Sequence, residues 1–140
     1  KSIKKNIKEK DTMIHAAAVS DFMINNKSNE KIKSKENIHL ELEPTTKIFE
    51  RIKNLKKNIF LIGFKAEHKV SEKTLIERAY NLLKDANANL VVANDVGKRG
   101  RGFDVETNEV FIVNKDKKIK HVNLVDKRII ANKILDEIRK

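Results

Sequence analysis

Apolar residues follow two rhythms along this chain, and their alternation sets the expected architecture. Thr12 to Val19 (TMIHAAAV), Ile59 to Phe64 (IFLIGF) and Leu90 to Ala93 (LVVA) are short unbroken apolar runs, the pattern of strands buried on both faces. Between them the spacing turns helical. Ile48, Phe49, Ile52 and Leu55 share one face of a helix that Thr45 or Thr46 can cap. Leu75, Ile76, Ala79, Leu82 and Leu83 form the stripe of a second helix behind a capping Ser71. Asn37 to Glu43 alternates Ile38, Leu40 and Leu42 with polar neighbours, which predicts a half-exposed strand ended by Pro44, whereas residues 20–36 lose all period and predict a long loop. After Asp95 a loop, VGKRGRG, leads into Glu109 to Val113 and Ile119 to Val125, a hairpin around the polar turn Asn114 to Lys118. Asp126 can cap a last helix with Ile130, Ile134 and Ile138 in line, and the opening KSIKKNIKEK reads as the final turns of a basic amphipathic helix begun elsewhere. Strand and helix alternate as βαβαβ. The expected fold is α/β, a Rossmann-like three-layer sandwich with a mainly parallel sheet and right-handed crossovers, plus a C-terminal β-hairpin and helix, in a single domain over residues 1–140.

Charge narrows the partners. Thirty-one Lys and Arg against twenty Asp and Glu give a net charge of +11, which favours anionic ligands such as nucleotides, phosphorylated metabolites or nucleic acid. One Tyr and no Trp leave little to stack bases on, so much of this charge reads as a solvated lysine surface. With no Cys, the chain has no disulfide, thiolate metal site or cysteine nucleophile, and His15, His39, His68 and His121 are too scattered to suggest a zinc site. No apolar run approaches the roughly 18 residues of a membrane span and the start lacks a signal-like apolar stretch, so a cytoplasmic location without membrane contact is expected.

In an open α/β sheet, ligands gather at the carboxyl ends of the strands, which puts weight on Val19 to Phe22, Gly63 to Glu67 and Asn94 to Val96. Ala16 to Ala18 either admit a ligand close to the backbone or allow helix packing, and Asp21 either holds a ribose hydroxyl or metal-bound phosphate or caps a turn. The segment Glu30, Lys31, Ile32, Lys33, Ser34 and Lys35 is either a flap over a triphosphate, with a lysine as mobile countercharge, or an exposed basic loop. Phe64 lies against a base or joins the core. Asn94 and Asp95 bind substrate or make a turn. No GxGxxG, Walker A or hydrolase elbow occurs.

Taken in order, these segments resemble the phosphopantothenoylcysteine synthetase (phosphopantothenate-cysteine ligase) family, in the carboxyl-terminal portion of that domain of the bifunctional coenzyme A biosynthesis protein. Its A-A-V-[AS]-D-[FY] matches Ala17 to Phe22, its E-K-I-K matches Glu30 to Lys33, its G-F-x-A-E matches Gly63 to Glu67, its V-A-N-D matches Val92 to Asp95 and its G-F-x-x-x-x-N-E-V matches Gly102 to Val110. The resemblance implies an enzyme that uses CTP with Mg²⁺ to activate 4'-phosphopantothenate as an acyl-nucleotidylate. Cysteine's amine then displaces the nucleotide, so that CMP and pyrophosphate are released.

It also implies roles for particular residues. His15, Ala16 and Ala17 border the nucleotide, Asp21 holds its sugar or the metal-phosphate part, Lys31 is catalytic and closes over the phosphates, and Thr46, Lys47, Ile48 and Phe49 form a nucleotide-contacting turn with Phe64 beside the base. Ala18 and Asn94 face the acyl substrate, and Leu82 and Ala86 occupy positions that carry nucleotide-binding lysines in many bacterial members, with Lys84 as a substitute. Thr46 and Lys47 depart from the family's Pro and Asp, which loosens the choice between CTP and ATP. The family's Gly-rich βα unit and its Asn-bearing S-N-x-S-S-G-K-M-G segment do not occur in these residues. The fragment is therefore expected to be inactive alone, FMN belongs only to the separate decarboxylase domain, and a homodimer with the hairpin in its interface is expected. The competing expectation is a basic α/β nucleic-acid-binding module, for which oligonucleotide affinity would fall steeply with salt.

Overall fold

The structure, a computed structural model, describes residues 2–25, 30, 31 and 37–139. Its elements in chain order are α1 (Ser2–Asn6) running into a 3₁₀ turn (Ile7–Glu9), β1 (Thr12–His15), β2 (Phe22–Ile24), β3 (Leu42–Pro44), α2 (Ile48–Leu55), β4 (Phe60–Glu67), α3 (Glu72–Asp85), β5 (Leu90–Asp95), β6 (Thr107–Asn114), β7 (Ile119–Asp126) and α4 (Lys127–Ile138). They divide into two units, Lys1–Ala16 with Phe49–Lys140, and Ala17–Ile48.

The larger unit is built on one five-stranded sheet in the order β1-β4-β5-β6-β7. β1, β4 and β5 run parallel, with Ile14 opposite Ile62 and Ile62 opposite Leu90, while β6 and β7 extend the sheet as an antiparallel hairpin. Because strand side chains alternate between faces, β4, β5 and β6 each supply two cores. Leu61, Val91, Ala93, Phe111 and Val113 meet Ile7, Ile52 of α2 and Leu75, Ala79 and Leu83 of α3 on one face. Ile62, Leu90, Val92, Val110, Ile112 and Val122 meet Ile130 and Ile134 of α4 on the other. The three layers are thus the expected ones. β5, with covered faces and neighbours on both sides, is buried along its whole length, whereas β1 lies at the sheet edge and leaves Ile14 43% exposed, correcting the expectation of a strand buried on both faces there.

Local chemistry fixes the helix ends. Ser71 Oγ accepts from Thr74 N at 3.1 Å and Asp126 Oδ1 from Arg128 N at 2.7 Å, so both expected caps are in place. α3 stops in a Schellman motif: Asn87 takes a left-handed φ of 49°, Ala88 N donates to Leu83 O and Asn87 N to Lys84 O. Asn114 Oδ1 closes the hairpin turn by accepting from the N–H groups of Asp116 and Lys118. Buried Lys53 bolts α2 to the sheet, donating to Ile59 O at 2.5 Å and Asn89 Oδ1 at 2.9 Å.

The smaller unit departs from the sequence pattern. The segment expected to be a loop contains β2, which pairs antiparallel with β3 so that Phe22 faces Pro44 and Ile24 faces Leu42. Pro44 is a strand member and not its terminator; a two-stranded ribbon has an outer edge where a missing N–H costs nothing. Thr45 caps no helix, because its hydroxyl donates to Ser20 O at 2.5 Å and its N–H to Asp21 O at 2.9 Å.

Candidate functional site

The parallel strands place their carboxyl ends in one row, with His15 of β1 directly beside Gly63 of β4. The His15 ring lies 5.7 Å from the ring of Phe49, tilted by 42°. Gly63 is what lets that ring in: a Cβ on residue 63 would come within 3.0 Å of Phe49 carbons. His15, Gly63 and Phe49 therefore form one cluster on the sheet face covered by α2 and α3. Phe64, next along β4, points to the opposite face and is 40% exposed, so it is not spent on the core. Asn94 shares that face by the same alternation but is buried.

Charged side chains frame this edge. Glu67 at the end of β4 is paired with Lys65 at 3.1 Å and Arg78 at 2.5 Å. Burial alone would raise its carboxyl, but hydrogen bonds and charge from Lys65 and Arg78 outweigh it and hold the group below its ordinary range. Asp95, the cross-strand neighbour of Glu67, is 4% exposed. Its Oδ1 accepts from Lys69 N and Gly97 N, both at 2.8 Å. Here too burial pushes the carboxyl up, and the N–H donors of Gly97 and Lys69, the charge of Lys98 and the N–H of Val70 bring it below the usual value. Of the two readings open for Asp95, the structure gives a buried acceptor that organises two turns.

In the unit of residues 17–48, Ala17 and Ala18 are exposed and Asp21 forms an ion pair with Lys47. Thr46, Ile48 and Lys31 are exposed. Ile32, Lys33, Ser34 and Lys35 of the expected flap lie outside the described residues. Asp21 offers the hard carboxylate oxygens Mg²⁺ prefers, and a single carboxylate suits an ion held mostly by substrate phosphates and water. Among the described residues no group of three or more His, Asp or Glu is placed to hold a metal by itself.

Two candidates are not brought to this edge. Leu82 packs against the core and Ala86, the C-cap of α3, is 1% exposed. α3 starts at the carboxyl edge and ends at the amino ends of the strands, so both residues stand at the wrong end of the sheet, and Ala86 has no surface to offer a ligand. Sequence patterning also missed Arg101, whose guanidinium pairs with Glu109, and His121, whose Nε2 lies 2.6 Å from Glu109 while its ring stacks on Phe111 at 4.3 Å. The signal was present in Glu109 of the N-E-V segment, but its partners come from a loop and a neighbouring strand.

A family model for the C-terminal domain of the DNA/pantothenate metabolism flavoprotein matches residues 1–140. The chain belongs to that family. It is similar to the coenzyme A biosynthesis bifunctional protein CoaBC of Thermococcus kodakarensis, with 44% identity over 133 residues, 95% of this chain and 32% of that protein. It thus spans about a third of the length of the curated relatives it matches. Among solved structures, the DNA/pantothenate metabolism flavoprotein of Streptococcus pneumoniae superposes with a TM-score of 0.78 at 25% identity, over 99% of this chain and 64% of that one. The C-terminal domain of CoaBC superposes with a TM-score of 0.72 at 31% identity, over 99% and 60%. The resemblance to the synthetase portion read from the motifs holds at the level of family and fold.

Proposed function

We propose that this chain forms the carboxyl-terminal part of a phosphopantothenate-cysteine ligase of coenzyme A biosynthesis that works through a CTP-derived acyl-nucleotidylate. A carboxylate is a poor acyl donor until one oxygen becomes part of a good leaving group. In the proposed reaction, the carboxylate of 4'-phosphopantothenate attacks the α-phosphate of CTP and pyrophosphate departs. The amine of cysteine then attacks the acyl carbon and CMP leaves. His15, Ala16, Ala17 and Phe49 border the nucleotide, and Phe64 takes the base. Lys31 supplies positive charge to the phosphates as negative charge builds in the transition state. Asp21 would hold Mg²⁺ together with the phosphates, where the ion supplies countercharge. Ala18 and Asn94 face the acyl substrate. The active form is a cytoplasmic homodimer.

One observation carries this reading: in a chain of this family, the carboxyl end of β1 and the adjoining middle of β4 gather His15, Gly63 and Phe49 on the side of the sheet toward which α/β folds bind nucleotides. The test is pyrophosphate release with 4'-phosphopantothenate, cysteine and either CTP or ATP, in the longest natural chain that contains these residues. Lys31→Gln is expected to lower kcat/KM by about 100-fold, the usual cost of losing one charge-stabilising donor. Lys118→Gln, in the hairpin turn, serves as the control and stays near wild type. Equal rates for the two variants would remove Lys31 from the chemistry.

A further inference from the structure

A second polar site lies at the start of α3, outside the nucleotide cluster. A cavity of about 30 Å³ is lined by Val70, Glu72, Leu75, Asp95, Arg101 and Phe111, with Lys98 and Glu109 at its wall. Two buried atoms there, Asp95 Oδ2 and Arg101 Nε, have no hydrogen-bond partner among the described residues. One is an acceptor and the other a donor. Leaving both bare would be costly, the more so because both groups are charged.

The chemistry of the walls selects the occupant. A metal cation or ammonium can satisfy Asp95 but cannot accept from Arg101 Nε–H; a phosphate or other anion can accept from Arg101 but brings like charge against the Asp95 carboxylate. The wall charges are already balanced in the same way, since Glu109 pairs with Arg101, and Asp95 takes backbone N–H groups beside Lys98. What fits is a small neutral group that both donates and accepts. Water does so, and roughly 10–15 Å³ per molecule gives this cavity room for about two.

The other oxygen of Asp95 links two turns. Oδ1 gathers Lys69 N and Gly97 N, and Val96 N donates to Glu67 O at 2.8 Å, so the β4–α3 connection and the loop after β5 are held together. The fit is tight, for a Cβ on Gly97 would stand 2.7 Å from Lys69 N. Asn94, assigned above to the acyl substrate, immediately precedes this clamp on β5.

We propose that the cavity is a resident water site bridging Asp95 to Arg101, and that Asp95, through this bridge and its backbone clamp, is a positioning residue for Asn94. The water site stands on the structure alone; the positioning role rests on the proposed ligase reaction. Two measurements separate them. A high-resolution crystal structure of the protein is expected to show ordered water within hydrogen-bonding distance of both Asp95 Oδ2 and Arg101 Nε. Density for a metal ion or a bound anion there, or a side chain filling the space, would overturn the site. In the longest natural chain, Asp95→Ala is expected to raise KM for 4'-phosphopantothenate about tenfold while KM for CTP stays within about twofold, a smaller effect than the roughly 100-fold that a full 1 Å misplacement can cost. Asp95→Asn, which keeps an oxygen for the clamp, is expected to recover most of that loss. If Asp95→Ala lowers only the melting temperature, or raises both KM values alike, Asp95 is structural and not positioning. A wild-type protein without ligase activity would refute the proposed reaction and the positioning role while leaving the water site to be judged by its density.

Discussion

Two carboxylates side by side at the end of a buried sheet would repel each other and resist ionisation, yet Glu67 and Asp95 occupy facing positions on β4 and β5. Each is supplied with its own donors: Lys65 and Arg78 for Glu67, backbone N–H groups with Lys98 nearby for Asp95. Both carboxyls are consequently held below their ordinary range despite burial. The sign follows from linkage. A carboxyl that is more acidic in the folded state contributes stability that is complete above its unfolded pKa, about 3.9 for Asp and 4.3 for Glu, and is lost as pH falls through the lower folded value. Urea-unfolding midpoints are therefore expected to stay level from neutrality to about pH 5 and to fall below about pH 4. Glu67→Gln should flatten part of that fall. An unchanged acid slope in this variant would show that Glu67 keeps its ordinary pKa in the folded protein.

Helices here are delimited by residues whose effect is local. Ser71 combines a cap on Thr74 N with a hydroxyl contact to Thr74 at 2.8 Å, and Asn87 accepts the left-handed φ that ends α3. Since α3 begins at the carboxyl edge beside Lys69 and Asp95, its first turn also sets the wall of the water cavity. Ser71→Ala is expected to lower stability by about 1 kcal/mol, measured by chemical unfolding. The helix content by circular dichroism should hardly change, because tertiary packing of Leu75, Ala79 and Leu83 maintains the rest of α3. A loss well above 2 kcal/mol would mean that the serine is also part of the cavity's hydrogen bonding. Caps and stripes of this kind were legible in the sequence. Thr45 was misread because a threonine before an apolar stripe looks like a cap until a nearby carbonyl, here Ser20 O, takes its hydroxyl.

Across the whole molecule, apolar residues are left uncovered in both units: Phe22, Met23, Ile24 and Leu42 on the two-stranded ribbon, Leu40 just before it, and Ile119 and Leu124 on the outermost strand of the sheet. Exposed apolar groups in such number mark surfaces that meet another surface, which supports the proposed homodimer. Light scattering after size exclusion is expected to give twice the chain mass, and Leu124→Lys with Ile119→Lys to shift it toward the monomer if the hairpin contributes. A wild-type monomer at micromolar concentration would exclude the dimer. The order of buried strands, the helix stripes, two caps and the hairpin were determined by the sequence itself, because hydrophobic period and cap chemistry act over a few neighbouring residues. Only the tertiary structure decided that β1 lies at an edge, that Leu82 and Ala86 stand at the far end of α3, and that Asp95, Arg101, Glu109 and His121 meet beside one cavity. Those facts depend on which strands become neighbours and which way each crossover runs, and residues brought together from separate strands and loops leave no periodic trace along the chain.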